Sequence, residues 1–435
     1  MLLSQLSNEA SGCRIPYLEL QNPTKESIMR GRKAYVALCA IVACAAMTVS
    51  GCGGSNESGG KTKIRFATWD QAEDVDRQQS LVDKFNSSQD KIEVNLEAYG
   101  NDFDTKISAG MGSNDAPDVM YMWNYPSYAK GLEPLDTYIQ KQDTNYKKDF
   151  YPTLWNYNSY RGKTYGIPVG FTTHALYYNK DLFKKAGLAE PTNDWTWKQL
   201  QDAARVISSK TDAKGFAFQM KPDPYDFEMY LWSNGAAYSD DEGNMKGNVD
   251  SAKALQSYQM FQDMEKSGDA VATEGNGTDE FRSGTVAMFV YGSWALSTLD
   301  KEGIHYGVVN IPRFEDQDKS VSILSSSGVS MSKTTKHKAE AWKFIQFWTN
   351  AESNKARIGS ELPVLTKVVD SEKIEKKPEY KPFYAMLKQS DGFTPSNFRV
   401  PDWSEKSDKL SLAFEKMYNP STYEKPASAL ASVTK

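Results

Sequence analysis

Aromatic side chains placed next to small polar ones recur along this chain. Trp69-Asp70, Tyr99-Gly100-Asn101, Trp123-Asn124 and Tyr291-Gly292-Ser293-Trp294 each set a flat apolar face beside hydrogen-bonding groups. Such pairs suit non-covalent capture, because a ring adds much contact area at low entropic cost. Residues for bond-making chemistry are not arranged in this way. No His-Glu-x-x-His or Gly-x-Ser-x-Gly occurs, and His174, His305 and His337 are too scattered for a His-built metal centre. Ser55 stands where a phosphate-binding loop ending at Gly60-Lys61-Thr62 needs its first glycine. The stretch from Asp240 to Asn244 lacks the glycine at the sixth position of a Ca²⁺ loop and reads as a turn. With 56 Asp and Glu, a carboxylate pair for glycoside hydrolysis could be drawn almost anywhere. The sequence predicts no catalytic group, no metal and no cofactor.

The elements that position the aromatic pairs follow from periodicity. Lys63 to Trp69 alternates apolar and polar residues, as do Ile92, Val94 and Leu96, and both read as strands. Pro117 to Trp123 is nearly all apolar, as buried parallel strands are. Helices fall between them, one with Leu81, Val82 and Phe85 on a face and one with Phe103 and Ile107 four apart. This is βαβαβ, and ligands of such sheets sit beyond the carboxyl ends of the strands, where Trp69, Tyr99 and Trp123 fall. A second unit is predicted after Val169: strands at Leu176–Asn179, Gly215–Phe218, Val286–Val290 and Tyr306–Ile311, with helices opened by Trp195-Thr196-Trp197, from Tyr225 and from Ala252. Ala341, Trp342, Ile345 and Trp348 mark a later core-facing helix, and Ser325-Ser326-Ser327-Gly328 reads as a tight loop.

All four cysteines (Cys13, Cys39, Cys44, Cys52) lie at the N-terminal end, so the bulk of the chain has no disulfide framework. Met29-Arg30-Gly31-Arg32-Lys33 is a basic start, Ala34–Val49 is apolar, and Val49-Ser50-Gly51-Cys52 follows. This pattern predicts an export signal over residues 1–51, with Met29 as the true start because residues 1–28 fit no signal pattern. The signal ends in what resembles a lipobox, which implies a lipid on Cys52 and a flexible tether over residues 52–62. The formal charge of −5 becomes −7 once residues 1–51, with five basic and three acidic side chains, are removed. That balance argues against nucleic acid as a partner.

Several segments, in order, resemble the extracellular solute-binding protein family 1, the sugar-binding subunits of bacterial ABC importers. They are Ala116-Pro117-Asp118-Val119, Gly162–Pro168, Leu176–Leu188 with Pro191, Trp195-Thr196-Trp197, Phe281–Met288, Gly292-Ser293-Trp294, Ala339–Phe347 and Leu362-Pro363. The resemblance implies an α/β, periplasmic-binding-protein-like fold: two lobes joined by crossing strands, with the ligand cleft between them. The chain would cross near His174, Ile311 and Ala351, making lobe one of residues 63–174 plus 313–350 and lobe two of 175–312 plus 351–435. It further implies a monomer at the outer face of a Gram-positive membrane that delivers an oligosaccharide to permease subunits. A pyranose has an apolar face for rings and a hydroxyl rim for polar groups. The resemblance places stacking rings at Trp123, Trp294 and Trp403, and Trp69, Tyr99, Trp232 and Tyr291 are further candidates. The candidate hydroxyl partners are Asp70, Asn101, Asn124, Thr172, His174, Gln219, Asp226 and Ser327, with Glu228 weighed beside them. A secreted glycoside hydrolase and a binder of a non-sugar solute remain the alternatives.

Overall fold

The computed structural model describes residues 60–143, 145–240 and 242–434. The expectations for residues 1–51 and for a lipid on Cys52 lie outside the described residues. Strands β1 (Thr62–Thr68), β2 (Ile92–Ala98) and β3 (Val119–Met122) pair in parallel in the order β2-β1-β3. The helices Glu73–Ser87 and Phe103–Ser113 connect them, with Leu81, Val82, Phe85, Phe103 and Ile107 buried as their spacing predicts. Lys61 does not face an open loop. Its ammonium donates to the carbonyls of Asn86 at 2.6 Å and Gln89 at 2.9 Å, where a helix end leaves acceptors free.

After a short hairpin, β4 (Ser159–Tyr160) and β5 (Lys163–Thr164), comes β6 (Gly166–Asn179), buried along its length. The remaining strands are β7 (Phe216–Gln219), β8 (Ala270–Thr273), β9 (Met288–Gly292), β10 (Tyr306–Val309) and β11 (Leu324–Met331). The segments before and after Val169 are therefore one strand. Its first half, Gly166–Thr173, pairs with β11, and its second half pairs with β9 from His174 and with β10 from Leu176. The partner of β6 changes from β11 to β9 between Thr173 and His174. One strand serves both lobes by its length, and in its second half alternation buries the two faces in different clusters: Ala175 and Tyr177 in one, Leu176 and Tyr178 in the other.

Two expectations change. The Ser325–Gly328 loop is part of β11, antiparallel to both β3 and β6, with a register shift between Ser327 and Gly328. Serine side chains are small enough to lie between two strands, and the Ser326 hydroxyl is satisfied there, donating to Gly170 O at 3.1 Å and accepting from Asn158 Nδ2 at 2.9 Å. The lobe limits move as well. Ile311, Phe314, Val321 and Ile323 pack in the second cluster, so the return crossing begins at Leu324 and residues 313–323 do not belong to lobe one. Leu410–Val433 packs in the second cluster, as lobe two requires. Periodicity marks these segments as buried but carries no information on which core buries them.

Candidate functional site

The carboxyl ends of β1 and β3 and the crossing strands converge on a cavity of about 490 Å³. Trp69 and Asp70 follow β1, and Trp123 follows β3. Thr172 comes from β6, Ser325 and Ser327 from β11, and Ser293 and Trp294 from the turn after β9. Trp69 is held edge-on by Phe103 and Tyr121, both 5.2 Å between ring centroids. Asp70 accepts from the Gln78 amide. Burial, with the Glu361 and Asp74 carboxylates nearby, pushes Asp70 up to about 7.

Trp294 is 49% exposed, the most exposed aromatic ring in the described chain. Its position is set from below. The Thr172 hydroxyl accepts from the Ser293 amide at 2.9 Å and from the Ser293 hydroxyl at 3.0 Å, and the Tyr177 hydroxyl donates to Gly292 O at 2.7 Å. A Cβ on Gly292 would stand 2.6 Å from the Trp294 ring, so only glycine lets the indole lie against this strand end. Tyr291 meets Trp294 edge-on at 5.1 Å.

Trp294 also lines a second, smaller cavity of about 240 Å³ inside lobe two, with His174, Gln219, Asp226, Asn276 and Tyr291. His174 is 3% exposed, and its Nδ1 has no hydrogen-bond partner. Burial lowers it to about 4, so the imidazole is neutral. Burial, and then Asp223, raise Asp226 to about 7. The structure thus brings together Trp69, Asp70, Trp123, Thr172, Trp294 and Ser327 in one cavity and joins His174, Gln219, Asp226 and Tyr291 to it through Trp294.

Six candidates lie elsewhere. The Tyr99 hydroxyl donates to Glu97 and its ring faces Lys106. Asn101 accepts from Gln71 at 3.0 Å, and Asn124 caps the short helix Tyr125–Tyr128. Trp232 packs on Phe393 at 5.5 Å beside a separate cavity of lobe two, and Trp403 packs on Tyr238 at 5.8 Å. Glu228 is buried and accepts from the Ser396 amide and hydroxyl, which ties a lobe-two helix to the C-terminal region.

Sequence reasoning did not find Phe171, Asp74, Ser360 or Glu361, all of which line the first cavity. Glu361 pairs with buried Arg357 at 2.9 Å and accepts from Ser327 at 3.4 Å. Gly170 leaves it room, since a Cβ there would meet the Glu361 carboxyl at 2.8 Å. The only sequence signal was its place just before Leu362-Pro363.

A family profile for bacterial extracellular solute-binding proteins matches residues 80–382. The chain is 28% identical over 326 residues to a binding protein of Brucella abortus strain 2308, covering 72% of this chain and 76% of that one. It is 28% identical over 255 residues to the sn-glycerol-3-phosphate-binding periplasmic protein UgpB of the same strain, 54% of this chain and 58% of that one. Among solved structures it resembles the GacH receptor of Streptomyces glaucescens, determined unliganded and with acarbose. The TM-score is 0.73 at 23% identity, over 86% of this chain and 97% of that one, which shows a shared two-lobed fold.

Proposed function

The chain belongs to the bacterial extracellular solute-binding proteins, and from that premise we propose that it captures an oligosaccharide between its lobes and hands it to the permease subunits of an ABC importer. One observation carries this reading: Trp69, Trp123 and Trp294, far apart in the chain, line one cavity together with the carboxylates and hydroxyls of Asp70, Glu361, Thr172 and Ser327. Rings stack on pyranose faces, and the polar groups read the hydroxyl rim. The acarbose complex of the GacH receptor supports a carbohydrate cargo. The UgpB relative suggests a phosphate ester instead, but the walls of both cavities carry Asp and Glu and no Lys or Arg, the wrong sign for that ligand. Capture needs a hinge motion of the lobes about the crossing strands and no bond chemistry.

The same reading includes a lipid on Cys52, a tether that ends before Lys61, and a monomer held at the outer face of a Gram-positive membrane. Among the described residues no helix is long and apolar enough to cross a membrane. Titration calorimetry against a panel of oligosaccharides tests the cargo. Binding that Trp294→Ala weakens supports it, and no binding to any glycan refutes it. Product analysis of the same mixtures excludes or reveals hydrolysis. Intact-mass measurement of protein from its native host tests the start at Cys52 and its acyl chains.

A further inference from the structure

The cleft is rich in carboxylates. Five carboxylates (Asp70, Asp74, Glu361, Asp223 and Asp226) line the two cavities that meet at Trp294, and no lysine or arginine does. The Arg357 guanidinium is buried, pairs with Glu361, and also donates to Trp348 O at 2.8 Å, while Arg77 and Lys301 line a third cavity that shares Asp74, Trp294 and Glu361. Asp74 faces Arg77 only at 4.0 Å. Among the described residues Asp70 and Asp226 have no cationic partner within ion-pair distance. The Asp226 carboxyl has no side-chain hydrogen bond, and that of Asp70 has only the Gln78 amide.

We propose that the saccharide this cleft selects carries a basic nitrogen, an amine or imine held as a cation, on the ring seated against Trp294 between Asp70 and Asp226. This rests on the carbohydrate reading above. A cation there restores what burial took from the two carboxyls, both held up near 7 chiefly by burial. The exposed indole of Trp294 adds the attraction of its ring face for a positive charge. An independent observation points the same way. His174, 3% exposed, lines the second cavity with an unpartnered Nδ1, and the neutral imidazole accepts a hydrogen bond from an N–H donor. A hydroxyl could satisfy His174 but would leave the carboxyls without a counter-charge.

The test is titration calorimetry with matched pairs: acarbose against maltotetraose for α linkages, and glucosamine tetramer against cellotetraose for β linkages. Wild type, Asp226→Asn and Asp70→Asn are compared, with thermal unfolding as a check on folding. The expected result is an amine-bearing member bound at least about tenfold more tightly than its neutral partner, with most of that gap lost in either variant. If the neutral members bind as well as or better than the amine-bearing ones, or if only some other neutral glycan binds, the inference is overturned and the carbohydrate reading stands. If no saccharide of either kind binds, both fail. A gap that both variants retain refutes the assignment to these carboxyls.

Discussion

Replacing Gly292 with alanine isolates the orientation of one ring. The residue sits at the end of β9, paired with His174, and its backbone lies outside the left-handed region, so alanine brings no backbone strain. The new Cβ would meet three indole carbons of Trp294 at 2.6–2.7 Å. Relief to ordinary contact requires the ring to swing by roughly 1 Å or change rotamer. Since Trp294 is 49% exposed, that movement should cost little stability, within about 0.5 kcal/mol. Ligand affinity should suffer more. A stacking ring moved off its plane loses about 1–2 kcal/mol, roughly five- to thirtyfold in Kd. Calorimetry with the best ligand of the panel, alongside Trp294→Ala, reads this directly, and thermal unfolding confirms the fold. Wild-type affinity in Gly292→Ala beside a large loss in Trp294→Ala would refute the claim that glycine sets the ring. Wild-type affinity in both would refute the platform itself.

Trp232→Ala should leave ligand affinity unchanged while destabilising the protein by about 3–5 kcal/mol in urea unfolding, because the ring is 7% exposed and away from the cleft. Gly328→Ala should destabilise by about 1–3 kcal/mol, since its Cβ would fall 2.0 Å from Asn158 Oδ1 and 2.2 Å from Tyr125 Oη in a packed part of β11. Glu228 is held up near 7 chiefly by burial, so the folded protein keeps a proton that the unfolded chain releases near pH 4. The stability tied to that proton is complete below the unfolded value and is lost as pH rises through about 7. Thermal unfolding should therefore show Glu228→Gln gaining on wild type between pH 5 and pH 8, and a constant difference would count against it.

Much of the architecture was legible in the order of elements. The first βαβαβ unit needs only local signals: alternation for β1 and β2, an apolar run for β3, and helical spacing of Leu81, Val82 and Phe85. The strand ends bearing Trp69 and Trp123 followed from that topology, and so did their meeting in one cavity. The polar candidates were less legible. Asn124 and Asn101 are spent on local hydrogen bonds, and a capping amide looks the same in sequence as a ligand-binding one. Trp232 and Trp403 went to packing because their helices turn them toward Phe393 and Tyr238, partners whose approach depends on the whole lobe.

The sequence by itself determined the family resemblance, the parallel first unit and the aromatic turn around Gly292. The first rests on the order of segments along the chain, the others on residues close together in it. Tertiary structure alone decided that the serine run is a strand and that the return crossing begins at Leu324. It also decided that Glu361, held by Arg357, faces Asp70 across a shared cavity. These depend on which faces meet, and burial and charge are sums over neighbours that one-dimensional spacing does not name.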